Sequence, residues 1–455
     1  MAAQAQATLR AQERAPLFSA DALRRLIIPL VIEQFLAMTI GMADTIMVTS
    51  VGEHAVSGVS LVDNISTLLI NVFSALATGG AVVAAQYLGS RDEENACSAA
   101  KQLFYAIGAL SAATMAVCLL FREPILRLVF GQLEDNVMKA AMTYFLLTAI
   151  SYPLLAIYNA GAALFRAMGN SKVSMLASLL MNIVNIGLNA ILIYGADIGV
   201  AGAGFGTLFS RLAGAVLMTW LICQHGHRIH IDHLLHFEFR GQLVKKILRI
   251  GVPNGLENGM FQIGKLLVLG LVTPLGTSAT AANAIANSVA GVVNVPGNAI
   301  SLSLITVVGQ CMGAGDSKQA VRYTRKLMTI VYLAMGSLSV LLFFFATPVV
   351  GIFGLTPGAA VMAIQVLRWC AVFDLIFWPM SFSLPNALRA SGDAKFTMIV
   401  SMFSMWIFRI GFSYLLVPQI GLLGVWVAMF IDWIVRAVVF LIRFLSGRWK
   451  TKTVI

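Results

Sequence analysis

Twelve stretches of the chain are almost wholly apolar: 26–50, 58–85, 102–121, 140–160, 173–194, 199–223, 248–272, 280–311, 327–347, 359–386, 397–417 and 421–442. A helix needs about 20 such residues to cross the hydrocarbon core of a bilayer, and each run meets or exceeds that length. Strands of a membrane barrel would be about ten residues long and would alternate apolar with polar; these runs do neither. Composition agrees, with 59% apolar and only 11% charged residues among 455 and a mean hydropathy of +0.85. A soluble domain carries about 25% charged residues. A soluble enzyme, a disordered tail protein and a secreted disulfide scaffold are therefore excluded. The expected fold is an all-α polytopic membrane protein of twelve transmembrane helices.

Charge placement orients the chain. The net charge is +11, but no basic tract is interleaved with aromatic residues, so no nucleic-acid partner is expected. Most of the 31 Lys and Arg residues lie at the termini and in the connections after even-numbered runs. The connections after odd-numbered runs hold only Arg122, Arg127 and Lys139. By the positive-inside rule both termini are expected in the cytoplasm, with the chain in the cell (inner or plasma) membrane. Residues 1–22 contain no apolar h-region, so the first run is expected to remain as a span. The five cysteines are scattered without a C-x-x-C pair, which supports neither disulfides nor a zinc ribbon.

The chain is also duplicated. An offset of 224 residues superimposes Pro29 on Pro253, Glu33 on Glu257, Gly52 on Gly276, Gln86 on Gln310, Gly89 on Gly313 and Asp92 on Asp316. After a one-residue slip, Arg166-Ala-Met-Gly-Asn-Ser-Lys172 lies over Arg389-Ala-Ser-Gly-Asp-Ala-Lys395. Six spans separate the copies, so both halves share one orientation and are related by an axis along the membrane normal. That is a carrier architecture, with cargo bound between the lobes. The expected division is a cytoplasmic tail (1–25), an N-lobe of spans 1–6 (26–223), a His-rich cytoplasmic linker (224–247), a C-lobe of spans 7–12 (248–442) and a second cytoplasmic tail (443–455).

Gly41-Met-Ala-Asp44-Thr45-Ile-Met in span 1, Gln86-Tyr-Leu-Gly89 after span 2 and the paired Arg-Ala-x-Gly-x-x-Lys segments carry a family resemblance. From residue 24 to 445 the chain resembles the multidrug and toxin extrusion (MATE) family. The resemblance implies a V-shaped exporter that exchanges Na+ or H+ for organic, usually cationic or amphipathic, small molecules. It also implies a cation-binding cluster in which a carboxylate at the Asp-Thr motif joins polar groups of spans 5 and 6. The matching positions here are Asp44, Asn185, Asn189 and Thr207. The family's usual residue at position 189 is Asp, so this chain departs from the pattern. One carboxylate, two amides and a hydroxyl suit Na+, while a single buried carboxylate also suits a proton, and the coupling ion stays open between the two. A lipid or lipid-linked oligosaccharide flippase of the same two-lobed plan is the alternative. A monomer without an organic cofactor or bound metal is expected.

No phosphate loop, nucleophile elbow or H-E-x-x-H motif occurs, and no histidine lies within a span, so an enzyme is not expected. A carrier without ATP machinery draws on an ion gradient, which makes ionisable groups within spans the first candidates. Asp44 is placed roughly 27 Å from the cytoplasmic face. Glu33 lies eleven residues earlier, on the same helix face, and Glu257 is its repeat counterpart; each follows a proline by four residues. Both are read as cleft residues for cationic cargo, against a purely structural pair near the headgroups. Lys265 is the residue expected to neutralise Glu257. Asp63 and Asn287 form a second candidate cleft pair, and Asp432 and Arg436, spaced i,i+4, should neutralise each other. In the linker, helical spacing would put His230, His233 and His236 on one side, a pattern open to metal binding. A basic linker lying on headgroups explains it equally, and no metal site is assigned.

Overall fold

Lipid offers a backbone no hydrogen bonds, so each apolar run must satisfy its own amides, and an α-helix does so within one segment. The computed structural model describes residues 16–234 and 236–455; residues 1–15 of the amino-terminal tail lie outside the described residues. The described residues form helices, turns and coil, with no strand among them. Spans 1 to 3 are Ala20–Thr49, Glu53–Gly89 and Glu93–Leu120. Span 4 is the bent pair Asp135–Ile150 and Tyr152–Ala167, span 5 is Ser171–Asn189, and span 6 is Val200–Ile222. Span 7 is Gly241–Val272, span 8 is Thr277–Val293 with Val295–Gly313, and span 9 is Ser317–Gly351. Span 10 runs from Pro357–Ile376 into Leu384–Ala390, span 11 comprises Ala394–Ser404 and Phe412–Ile420, and span 12 is Leu422–Leu445. Among the described residues, 11 helices are long and apolar enough to cross a membrane, or 12 with the bent pair of span 4.

Besides a kink in span 9 at Phe345, three runs expected to be continuous are broken: span 4 at Ser151 with a 45° bend, span 8 at Asn294, and span 10 at Phe377. In each case a proline (Pro153, Pro296 or Pro379) opens the next segment. Proline has no N–H to donate, so the carbonyl one turn earlier loses its helical bond and the break falls two residues ahead of the proline. Pro29 and Pro253, by contrast, lie inside uninterrupted helices. Pro29 deprives the Arg25 carbonyl of its donor, and the Ser171 hydroxyl lies within reach of that oxygen and the next, at 3.2 Å from Arg25 O and 2.6 Å from Leu26 O.

Large apolar side chains such as Ile46, Trp220 and Phe344 are exposed on the outer surface, at 64%, 62% and 71%, as a lipid-facing surface requires. Inside, two hydrophobic cores form, one in each half. The chain ends cross between them. Leu23, Leu26 and Leu30 of span 1 belong to the core of the second half, and Val454 belongs to that of the first. At the same end, the Leu17 N–H donates to Gln319 Oε1, the Phe18 N–H to Tyr323 Oη, and the Val454 N–H to Gln86 Oε1.

The two halves meet along the end that bears the termini. A Cβ built on Gly89 would run into the backbone of Gln310, and one on Gly313 into the backbone of Gln86. These are repeat-related pairs, and only glycine permits so close a backbone approach. Gln86 Nε2 donates to Ala390 O at 2.8 Å, and Gln310 Nε2 donates to Ala167 O at 2.7 Å. Each half thus caps a carbonyl at the end of the other half's fourth span.

Candidate functional site

Between the halves lies a cavity of about 790 Å³, walled by spans 1, 2 and 4–6 on one side and by spans 7, 8, 10 and 12 on the other. Its walls carry polar groups at a depth where each must be paired or serve a purpose.

In the first half, Asn189 Nδ2 donates to Asp44 Oδ1 at 2.5 Å and lies 3.5 Å from Asn185 Oδ1. Asp44, Asn185 and Thr207 line the cavity, while Asn189 is fully buried behind them. Span 5 changes to a wide π turn at Ala190–Gly195, directly after Asn189. Such turns displace a side chain from regular helical phase and occur often at functional sites. Gly206 of span 6 makes the room: a Cβ there would collide with Asn189 Oδ1. Thr207 Oγ1, Asn189 Oδ1 and Asn185 Nδ2 are buried without hydrogen-bond partners among the described residues. The structure therefore gathers the four residues singled out from the sequence.

It also adds two charges. Asp63 and Arg211 are the charged neighbours of Asp44. Tyr144 Oη donates to Asp63 Oδ1 at 3.3 Å, and Arg211 Nη1 donates to Ser151 Oγ at 2.7 Å. No periodic signal in the sequence ties Arg211 to span 1. Asp63 lines the cavity as expected, but Asn287 does not: it is exposed, and its amide turns back to the Asn283 carbonyl at 2.8 Å. The pair fails because span 8 is broken at Asn294 whereas span 2 is one continuous helix.

Nearer the closed end, Glu33 and Glu257 lie on the cavity wall, but neither is a free carboxylate. Arg166 Nη1 donates to Glu33 Oε1 at 2.8 Å, and the Ser174 hydroxyl donates to Glu33 Oε2 at 2.5 Å. Arg389 Nη2 donates to Glu257 Oε1 at 2.5 Å. The two duplicated motifs, glutamate and arginine, are thus partners. Lys265 is not the neutraliser of Glu257; its ammonium lies 5.1 Å from the centre of the Phe261 ring. Lys265 shares a helix face with Glu257 but is two turns further along, beyond the reach that Arg389 has from span 10.

In the second half, Arg436 Nε donates to Asp432 Oδ1 at 2.8 Å, and the Ser404 hydroxyl donates to the same oxygen at 2.5 Å. Arg409 Nη1 lies 3.9 Å from Asp432 Oδ2. Asp374 of span 10, overlooked in the sequence, is fully buried and takes a bond from Cys370 Sγ at 3.3 Å.

The linker is turn and coil, with His233 at φ +47°, so no helical face of His230, His233 and His236 exists. Instead His225 and His230 flank Asp232, at 3.1 and 3.5 Å. Burial raises the thiol of Cys223, at the head of this linker, above its ordinary range.

Comparison with known proteins adds the following. The MatE family model matches residues 29–191 and 253–415, one match in each half. The chain is 27% identical over 448 residues to a probable multidrug resistance protein NorM of Thermotoga maritima, covering 95% of this chain and 93% of that one. It is 28% identical over 440 residues to the uncharacterized transporter YisQ of Bacillus subtilis, covering 93% and 94%. A solved structure described as the outward-facing conformation of a multidrug resistance MATE family transporter of the MOP superfamily superimposes with a TM-score of 0.88 at 23% identity, over 95% and 96% of the two chains. That likeness establishes the fold.

Proposed function

The chain belongs to the MatE family, and from that membership we propose that it is a multi-pass exporter of organic small molecules driven by an ion gradient. It is a transporter and not an enzyme. The relatives named as probable multidrug resistance proteins support drug-like organic cargo, and the carboxylates of Asp44 and Asp63 on the cavity wall support cargo that is cationic or amphipathic. The lobes, taken as 26–223 and 248–442 with 224–247 between them, rock about the axis that relates the repeats and expose the cavity to alternate sides. With both termini cytoplasmic, the glycine-mediated closure at Gly89 and Gly313 seals the inner side, and the cavity opens outward. A single chain performs the cycle.

The observation that carries this reading is Asp44, a cavity-lining carboxylate held by the buried amide of Asn189. With Asp63 and Arg211 beside it, the group has one unbalanced negative charge when both acids are ionised. One monovalent cation balances it. The Asn189 N–H already points at the carboxylate, where a bare Na+ would need an oxygen, and this supports a proton as the exchanged ion. The test uses purified protein in liposomes at fixed voltage, with dye efflux followed while Na+ and pH are varied separately. Efflux should follow the pH gradient. Dependence on Na+ alone would overturn the proton assignment, and efflux indifferent to both gradients would overturn antiport.

A further inference from the structure

Span 6 ends at Ile222, and the chain that joins the two halves begins there with a closed loop. The Ile231 N–H donates to Ile222 O at 2.9 Å and brings the chain back on itself. Apolar anchors hold the loop down. Ile229 and Ile231 are buried in the core of the first half, and the His227 ring stands edge-on to Phe165 with centres 5.1 Å apart. Two backbone donors end on sulfur, the Ile229 N–H on Met168 Sδ at 3.2 Å and the His230 N–H on Cys97 Sγ at 3.4 Å. Arg228 Nε donates to Glu93 Oε1 at 2.8 Å, so the guanidinium of the loop already has its counter-charge.

With the loop fixed in this way, His225, His230 and Asp232 converge. Two ring nitrogens and a carboxylate oxygen, one atom from each residue, all lie within 4.8 Å of one another. His225 Nδ1 is 3.1 Å from Asp232 Oδ1, and His230 Nε2 is 3.5 Å from Asp232 Oδ2. The other nitrogen of His230 sets its tautomer, because Nδ1 lies 3.2 Å from the His227 carbonyl oxygen. A carbonyl only accepts, so Nδ1 carries the proton, and in the neutral ring Nε2 turns a lone pair toward the carboxylate. Two acceptors so placed repel unless a cation stands between them. A metal-ligating imidazole has this same arrangement, its second N–H given to a carbonyl or carboxylate. Tetrahedral Zn2+, with nitrogen and oxygen ligands at about 2.0–2.1 Å, sets those ligand atoms about 3.4 Å apart. The separations of 3.1 and 3.5 Å bracket that spacing.

We propose that His225, His230 and Asp232 bind a divalent transition-metal ion of the Zn2+ class, with water from the exposed side completing the tetrahedron. Mg2+ and Ca2+ prefer six or more oxygen ligands and find a single carboxylate here. The site departs from the sequence expectation of a chain without bound metal, and its members are not the helically spaced trio: His233 and His236 take no part. The ion closes the loop a second time, beside the bond between Ile222 and Ile231, and fastens the head of the inter-lobe linker to the first half. The site lies outside the cavity between the halves and stands independently of the exporter reading.

The test uses full-length protein purified in detergent through a tag without histidines, stripped with EDTA and titrated with Zn2+ by calorimetry. One equivalent should bind, and the thermal unfolding midpoint should rise with it. His225→Ala, His230→Gln and Asp232→Asn should each weaken binding at least about tenfold. His225→Cys, which restores a zinc ligand, should keep it, and His236→Asn should bind as the parent does. Co2+ in place of Zn2+ should give the intense visible absorption of a tetrahedral ion, a readout on the parent that needs no variant to fold. A parent that binds no Zn2+ would overturn the proposal, as would binding unchanged in all three ligand variants. The weak absorption of octahedral Co2+ would overturn it too. Displacement of Zn2+ by Mg2+ at equal concentration would do the same, since it would mark a carboxylate site for hard cations.

Discussion

Arg166 and Glu33, 133 residues apart in sequence, are joined by a 2.8 Å charged hydrogen bond inside the first half, and the second half repeats the pair with Arg389 and Glu257. Each pair ties the first helix of a lobe to the end of its fourth. The charges cancel, so the glutamates form a polar wall more than a net attraction for cations. Removing one partner leaves the other buried and unpaired, at a cost of about 3–5 kcal/mol. Glu33→Ala should lower the thermal unfolding midpoint in detergent markedly, and Glu33→Ala combined with Arg166→Ala should recover part of the loss. Additive losses in the double variant would show that the pair is not energetically coupled.

Asp44→Asn keeps the shape of the site and removes its charge change. Gradient-driven efflux should fall to background in liposomes, while the unfolding midpoint and dye binding by the purified protein persist. Efflux at the parent rate would remove Asp44 from the ion cycle.

Asn189→Asp restores a second carboxylate directly against Asp44. Like charges raise one pKa when no cation is present, and bound Na+ relieves the repulsion. Sodium should therefore stimulate efflux several-fold more in the variant than in the parent at constant pH. Gly206→Ala should act in the same sense but more weakly, because its methyl group displaces the Asn189 oxygen and loosens the amide N–H from Asp44. A flat Na+ response in Asn189→Asp would mean that this position does not reach the ion.

Gly89→Ala and Gly313→Ala each place a methyl group against a backbone carbonyl of the opposite half. Backbone cannot move aside as a side-chain tip can, so the closed arrangement at the terminus-bearing end should become inaccessible. Transport should fall at least tenfold in a folded protein, and spin labels on either side of that end should report a longer distance. Parent-like distances would show that the contact yields without opening.

Much of the molecule can be read along one dimension. The number of spans, the duplication and the existence of a buried carboxylate at Asp44 follow from hydropathy and offset, because lipid forces each run to satisfy its own backbone as a helix and spacing sets which residues share a face. The i,i+4 pair of Asp432 and Arg436 is legible for the same reason, lying on one helix. Partnerships between helices are not legible. The sequence shows Glu33, Glu257, Arg166 and Arg389 as two separate duplicated motifs, and nothing in it says that they meet. Arg211 beside Asp44 and Val454 in the core of the opposite half likewise depend on helix rotation, tilt and wide turns. Those are set by packing against neighbours, not by the hydropathy of any one segment.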